Sequence, residues 1–206
     1  MEHYISDRMF DFADWYDYIA DIMPQESELV ECGVADGCSA LYLARKLLDK
    51  GKQFKLYMID NMDYGQYNQM ATIYKNIYYR GLFENVEVVP LDSVSAAKSF
   101  NGNTLDFVFL DSSHEETETK KEILVWYDKL KEEGILSGHD YFSIENPGVK
   151  KAVDELLPKM ITRETIDNQE AEHYQEFEPE QLLYTKQTTK DCGIWYVRKR
   201  FYWQPK

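Results

Sequence analysis

The sequence predicts a single α/β domain in which a doubly wound, mainly parallel sheet carries helices on both faces. Short apolar runs alternate along the chain with segments whose apolar residues recur at helical spacing. One run, Leu105 to Leu110, is almost entirely apolar, as a strand covered on both faces should be. No repeat or low-complexity segment interrupts the alternation, and a chain of 206 residues suits one domain.

The elements of the first half are bounded by proline and glycine. A helix with one apolar face spans Phe10 to Met23 within an N-terminal helical segment, residues 1–24, and Pro24 ends it. Glycine beyond the next two helices is typical of a left-handed cap. The predicted elements that follow are a strand over Glu28 to Gly33, a helix ending before Gly51, a strand over Phe54 to Ile59 and a helix over Gln66 to Arg80.

The second half continues the alternation and closes with a less regular segment. Its predicted elements are a strand over Val86 to Val89, a short helix after Asp92, the strand Leu105 to Leu110, a charged helix from Glu115 to Glu132 ended by Gly134, a strand from Ile135 to Gly138, a helix over Val149 to Leu157 and a last strand over Ile194 to Arg198. Residues 164–190 are polar, acidic and weakly periodic. They are interpreted as a substrate-covering lid or as a disordered or dimer-contacting loop.

Composition restricts the partners that we expect. Asp and Glu outnumber Lys and Arg by 37 to 23, a net charge of −14, so nucleic acid and anionic membrane surfaces are disfavoured. No apolar run approaches the roughly 20 residues that span a bilayer, and the N-terminus lacks the pattern of an export signal. Three cysteines without metal-type spacing are expected to be reduced thiols in a cytoplasmic protein.

The first two strands end in residues suited to a nucleotide-like ligand. After the first strand come Glu31, Gly33, Gly37 and Ser39, and the glycines let the backbone approach a ligand beside a helix N-terminus. Asp36 replaces a glycine of the dinucleotide fingerprint, which disfavours a pyrophosphate and therefore NAD. The second strand ends at Asp60, where a carboxylate can accept both hydroxyls of a ribose or simply remain solvated.

The remaining strand ends are equally polar. The third is followed by Asp92 and Ser93, the fourth by Asp111 to His114, and the fifth by His139 and Asp140. Asp111 and Asp140 would end neighbouring strands about 4.8 Å apart, so that a cation between their carboxylates would relieve the repulsion. Oxygen ligands with room for water favour Mg²⁺, with Ca²⁺ or Mn²⁺ as alternatives, and His139 would be a third ligand or a substrate contact.

Taken together, these strand ends resemble the class I S-adenosylmethionine-dependent methyltransferases, and within them the group of macrocin-type sugar O-methyltransferases and the cephalosporin-biosynthesis methyltransferase. The likeness rests on a strand ending Asp-x-x-His, a charged helix, Gly-Ile-Leu and Gly-His-Asp-Tyr between Leu105 and Phe142, and on residues 148–154. It covers residues 28–157 and the final strand. It implies a Rossmann-like domain with a mostly parallel seven-stranded sheet and an antiparallel last strand.

The resemblance also implies roles for individual residues. Gly33, Gly37 and Ser39 would hold the methionine part of S-adenosylmethionine, Glu31 would support the turn, and Asp60 would bind the ribose. Asp92 and Ser93 would flank the adenine, with Asp111 bordering the cofactor. Relatives usually read Asp-Gly-Asp-His where this chain has Asp111-Ser112-Ser113-His114, so the middle carboxylate is missing.

The expected reaction is methylation of a hydroxyl on a small molecule, whether a sugar, a phenol or a natural-product intermediate. His114 is the candidate base, since an imidazole with a pKa of about 6.5 accepts a proton at neutral pH. Its alternative role is to cap the following helix. Asp111 would assist it, together with a divalent cation on Asp111, His139 and Asp140. An NAD-dependent oxidoreductase and a non-catalytic cofactor-binding protein are the competing interpretations, and monomer and homo-oligomer both remain open.

Overall fold

Six strands form one sheet in the computed structural model, which describes residues 10–63, 68–166 and 193–199. The strands are β1 (Glu26–Cys32), β2 (Gln53–Ile59), β3 (Val86–Val89), β4 (Leu105–Leu110), β5 (Leu130–Gly138) and β6 (Trp195–Arg198). Their order across the sheet is β3-β2-β1-β4-β5-β6, and only β6 is antiparallel to its neighbour. The predicted doubly wound α/β fold is confirmed, and its strand order reverses between β1 and β4.

The helices lie where the sequence pattern indicated, but α6 runs nine residues past its predicted end at Leu157, to Ile166. They are α1 (Ala13–Ile22), α2 (Cys38–Asp49), α3 (Gln69–Arg80), α4 (Ser93–Ala96), a 3-10 turn at Ala97–Ser99, α5 (Glu116–Lys129) and α6 (Pro147–Ile166). Within the described residues, none of these helices is long and apolar enough to cross a membrane. All six strands identified individually in the sequence are present, whereas the implied seventh strand does not lie among the described residues.

The sheet separates two apolar cores. On one face Leu29 and the rings of Phe107 and Phe109 pack with α1, α2 and α3. On the other face Val30 and Val108 pack with α4, α5 and α6. Because side chains alternate along a strand, consecutive residues of β1 and β4 contribute to opposite cores. This two-sided burial explains the nearly continuous apolar runs of the central strands.

The boundary between α5 and β5 differs from the prediction. The helix ends at Lys129 instead of Glu132, and β5 begins at Leu130, five residues before the predicted start. Lys199, which is buried, donates from Nζ to the carbonyl oxygens of Tyr127, at 3.3 Å, and Leu130, at 3.1 Å. A cation at a helix C-terminus stabilises the unpaired carbonyls of the last turn. The end of α5 is therefore set by a residue some seventy positions away.

The predicted lid, residues 164–190, lies outside the described residues except for its first three, whose backbone belongs to α6. At the other end of the chain, the predicted helix over Phe10 to Met23 begins only at Ala13. The residues before it, Phe10 to Phe12, pack along the sheet edge, and Phe12 is almost completely buried. This arrangement brings the start of α1 next to the carboxyl ends of the strands.

Candidate active site

The turn after β1 brings the chain into close contact with the end of β4. Gly33 has a φ of +83°, and a Cβ at this position would lie 2.1 Å from the carbonyl oxygen of Asp111. No other residue fits such an approach without moving backbone. Gly37, with a φ of +80°, is the residue before α2, so the predicted glycine turn leads directly into the helix. The N–H groups of the first helical turn thus begin at the ligand-binding edge of the sheet.

Glu31 lies beneath this turn, and each of its two carboxylate oxygens accepts a hydrogen bond from a hydroxyl group of the protein. Ser39 donates to one oxygen, and the Tyr16 hydroxyl donates to the other at 2.6 Å. Burial is the main cause that raises the pKa of Glu31 to about 7, although the two hydroxyl donors oppose it. Glu31 therefore supports the turn from below, and Ser39 points toward Glu31.

Asp60 organises the same turn from the end of β2. Its Oδ2 accepts the N–H groups of Val34 and Ala35, each at 3.0 Å, and its Oδ1 accepts the N–H of Met62 at 2.8 Å. A carboxylate offers about four acceptor positions, so these three bonds leave one for a ribose hydroxyl. The ribose contact of Asp60 remains a prediction, and the structure adds a second role in holding the turn.

Asp92 and Ser93 follow β3, as expected, but their side chains face different ways. The Asp92 carboxylate caps α4 by accepting the Ser95 N–H at 2.8 Å. Hydrogen bonds from the Ser95 side chain and then from its N–H lower the pKa of this carboxyl group. Ser93 is buried, and its hydroxyl accepts the indole N–H of Trp126 at 2.9 Å. Of the two, Asp92 is the exposed side chain, while the buried Ser93 joins the start of α4 to α5.

Two histidines and two aspartates converge at the ends of β4 and β5. His114 Nε2 lies 2.7 Å from Asp140 Oδ2 and 3.7 Å from Asp111 Oδ1. His139 Nδ1 lies 3.5 Å from Asp140 Oδ1 and 3.8 Å from Asp111 Oδ1. The predicted pairing of these strand ends is confirmed, since β4 and β5 are neighbours with Leu110 opposite Gly138.

Three of these residues form a set that can hold a metal ion. One ligand atom each of Asp111, His139 and Asp140 lies within 4.8 Å of the other two. They are the three residues that the sequence suggested as ligands. Two carboxylates and an imidazole suit a divalent cation such as Mn²⁺, and the carboxylates also suit Mg²⁺. In addition, Asp140 has a φ of +60°, a conformation uncommon for a residue with a side chain and frequent at binding sites.

The carboxylates strongly change the titration of both imidazoles. Asp111 and Asp140 raise the pKa of His114 to about 10. Burial lowers the pKa of His139, but its acidic neighbours outweigh this and raise it to about 9. The same contacts hold the pKa of Asp140 well below its usual range despite burial. The expectation that His114 keeps its ordinary pKa is therefore wrong for the protein without a cation.

The loop that carries Asp111 and His114 is fixed from behind by a residue that the sequence did not single out. Ser112 donates its hydroxyl to Glu122 on α5, a carboxyl group whose pKa is raised by burial. The N-cap of α5 is Glu115, so His114 is not the capping residue, and its ring faces Asp140.

Asp11 is the second residue that sequence reasoning missed. Its Oδ1 lies 3.1 Å from His139 Nε2, within hydrogen-bond distance. Asp11 precedes α1 and does not follow a strand, so the strand-end pattern that identified the other residues could not include it. The aromatic neighbours Phe10 and Phe12 were the only available signal, and they indicated burial and not a site.

Comparisons with known proteins agree with this fold. No curated protein matches the sequence. Among solved structures, a SAM-dependent O-methyltransferase from Thermotoga maritima is 15% identical, with a TM-score of 0.59 over 94% of this chain and 66% of that chain. An rRNA methylase from Streptococcus thermophilus is 14% identical, with a TM-score of 0.57 over 95% of this chain and 99% of that chain. At such identities the likeness shows a shared fold alone.

The family is shown by the sequence itself. Residues 30–141, more than half of the chain, match the family described as a methyltransferase domain. The matched span begins in β1 and ends just after Asp140, so it contains the glycine turn and the strand-end residues described above, whereas Asp11 lies outside it. The chain belongs to this family of methyltransferase domains.

Proposed function

We propose that the protein transfers a methyl group from S-adenosylmethionine to a hydroxyl of a small molecule, with the help of a divalent cation. The observation that carries the proposal is the convergence of Asp111, His114, His139 and Asp140 beside the glycine turn. The carboxyl ends of parallel strands at a switch point are where ligands bind in open α/β sheets. Here the turn and the four side chains are adjacent because Gly33 touches Asp111.

The cofactor is assigned to the turn and to the strand ends next to it. Gly33 and Gly37 shape a backbone surface beside the N-terminus of α2, which suits the carboxylate of a methionine group. Asp60 retains one acceptor position for a ribose hydroxyl, and Asp92 stands at the edge expected for the adenine. Glu31 and Ser39 support the turn from below, as their mutual hydrogen bond indicates. Ser93 contributes through packing, since its hydroxyl is engaged by Trp126.

Asp111, His139 and Asp140 are proposed to hold the cation, because their ligand atoms are the right types at a common distance. A divalent cation at this position would orient an acceptor hydroxyl and lower its pKa. Asp111 and Asp140 also hold the His114 ring over the site through their charges. When a cation shares those charges, the pKa of His114 falls back toward its ordinary value.

His114 is proposed as the group that removes the hydroxyl proton. Its ring is half-buried beside Asp140, and the N-cap of α5 is Glu115 and not His114. A base of this kind contributes about 10²- to 10⁴-fold to a rate. The in-line geometry of methyl transfer depends on rigid placement of donor and acceptor, which the contact between Gly33 and Asp111 supports.

For the acceptor we propose a sugar, a phenol or a natural-product intermediate, in line with the macrocin-type group that the sequence resembles. The net charge of −14 disfavours nucleic acid as the acceptor, although one neighbour of similar fold is named as an rRNA methylase. A neutral or cationic hydroxylated molecule meets no such repulsion at the acidic site.

Two experiments test the proposal, first ligand binding and then methyl transfer. S-adenosylhomocysteine at 100 times its Kd should raise the free energy of unfolding by about 2.7 kcal/mol, and NAD should have no effect. Methyl transfer to a panel of hydroxylated molecules is then measured with Mg²⁺, with Mn²⁺ and with a chelator. The variant His114→Gln should keep the stabilisation and lose transfer. Stabilisation by NAD alone would identify an oxidoreductase, and binding without any transfer would identify a non-catalytic protein.

A further inference from the structure

His139 has different partners on its two ring nitrogens. Nε2 lies 3.1 Å from Asp11 Oδ1 on the N-terminal side of the site. Nδ1 faces the opposite way, toward Asp140 at 3.5 Å and Asp111 at 3.8 Å. The contact with Asp11 is the shortest of the three and lies well within hydrogen-bond distance. The ring therefore bridges the carboxylate of Asp11 and the metal-binding set.

The chemistry of this arrangement dictates where the proton of a neutral His139 resides. A carboxylate accepts hydrogen bonds and donates none, so Nε2 must carry the proton to bond Asp11. Nδ1 is then left with a lone pair directed at the space between Asp111 and Asp140. A histidine that binds a metal commonly donates its other N–H to a carboxylate, which fixes the tautomer and the ring orientation.

Packing holds Asp11 in place. Its neighbour Phe12 lies against the His139 ring, with ring centroids 5.0 Å apart, and against Phe109 of β4 at 4.8 Å. Tyr16, the residue that also bonds Glu31, meets Phe12 edge to face at 5.1 Å. Phe12 is 2% exposed, so the segment that carries Asp11 is anchored in the core. The backbone at Asp11 is thus held in place while its carboxylate contacts His139.

We propose that Asp11 is a positioning residue that orients His139 as a metal ligand through its Nδ1 atom. This inference rests on the metal site of the proposed function and extends it beyond the matched family span of residues 30–141. It means that the site is completed by the N-terminal segment, whose position next to the strand ends is set by aromatic packing. It also gives the imidazole, the softest of the three ligands, a defined coordinating atom.

The test is a titration of the full-length protein with Mn²⁺ in the absence of substrate, following free Mn²⁺ by electron paramagnetic resonance. The variant Asp11→Ala should raise the Kd for Mn²⁺ by about 10- to 100-fold, the range found for such outer carboxylates. Asp11→Asn keeps an acceptor oxygen for Nε2–H and should restore most of the affinity. The matched control is Asp17→Ala, which removes an α1 carboxylate that bonds Tyr42 and Lys46 and does not contact the site.

The outcomes separate the two proposals. Weakened Mn²⁺ binding in Asp11→Ala, with wild-type affinity in Asp17→Ala and an unchanged Tm without metal, supports the inference. Equal affinity in Asp11→Ala and the wild type overturns it and leaves the metal site standing. If the wild type itself binds no Mn²⁺, both the metal site and this inference are wrong, while binding of S-adenosylhomocysteine still reports on the cofactor site.

Discussion

The carboxylates at the two halves of the sheet edge are used in contrasting ways. At the ends of β1 and β2, Glu31 and Asp60 accept hydrogen bonds from hydroxyl and N–H groups of the protein. At the ends of β4 and β5, the carboxylates of Asp111 and Asp140 lie 2.7 to 3.8 Å from the ring nitrogens of two histidines. The first pair accepts hydrogen bonds from within the fold, whereas the second pair is gathered with two titratable imidazoles at one point.

Under the proposed function, this difference separates residues that support the backbone from residues that take part in the reaction. A buried carboxylate with donors on both oxygens stabilises the backbone that surrounds it. Two close carboxylates stabilise little by themselves, because they repel unless a cation or a proton lies between them. Both pairs are carboxylates at or near the ends of strands, so only their hydrogen-bond and ionic partners distinguish the two pairs.

The strongest test is to make one substitution in both halves. Asp111→Asn removes a charge and a metal ligand, so methyl transfer should fall by about 10³-fold while the free energy of unfolding changes by less than about 1 kcal/mol. Asp60→Asn leaves one oxygen for three N–H donors and should lower the free energy of unfolding by about 1 to 3 kcal/mol. Urea unfolding and kcat are measured for both. Similar changes in stability and in kcat for the two variants would contradict the proposed difference between the two pairs of carboxylates.

A second test addresses the contact that joins the halves. Gly33→Ala places a Cβ 2.1 Å from a backbone oxygen and should lower the free energy of unfolding by more than about 3 kcal/mol. The matched control is Gly81→Ala, because Gly81 also has a positive φ, +65°, yet a Cβ there would meet nothing within 4 Å. That variant should lose only about 1 to 2 kcal/mol from backbone strain. Equal losses would show that the close approach is unimportant.

A third test concerns the pH dependence of stability. Because the pKa of Glu31 is raised from 4.5 to about 7, the folded state binds more protons than the unfolded state between these values. The contribution of Glu31 to stability is therefore complete below pH 4.5 and is lost as the pH rises through 7. Glu31→Gln mimics the protonated form, so it should match the wild type at pH 4.5 and exceed it by roughly 3 kcal/mol at pH 8. Chemical unfolding across this range measures it, and parallel curves for the two proteins would contradict the assignment.

Most of the fold was accessible from the sequence because its signals are local. The strand β3 is found at its predicted bounds, Val86–Val89, and α3 ends at Gly81 as the glycine indicated. The end of α5 was not accessible, because Lys199 caps it from the far end of the chain. Gly134 looked like the helix terminator, yet it lies inside β5.

The candidate site was predictable to a similar degree. Asp111, His139 and Asp140 come together because parallel neighbouring strands carry their ends to one edge. What remained hidden were the partners of each side chain: the three N–H groups on Asp60, the Trp126 indole on Ser93, and Asp11 on His139. These contacts depend on how loops and an N-terminal segment pack, and no periodicity encodes that.

The close approach of Gly33 to the end of β4 has a mechanical consequence. The Gly33 N–H donates to the Ile59 carbonyl oxygen at 2.8 Å, and the Asp111 N–H donates to the Cys32 carbonyl oxygen at 2.8 Å. The turn and the strand end therefore belong to one network of backbone hydrogen bonds. Neither can move without the other, so under the proposed function the alignment of methyl donor and acceptor would be fixed by the main chain. Changes in the parts that enclose the acceptor would then alter which molecule is methylated and leave the trajectory of transfer intact.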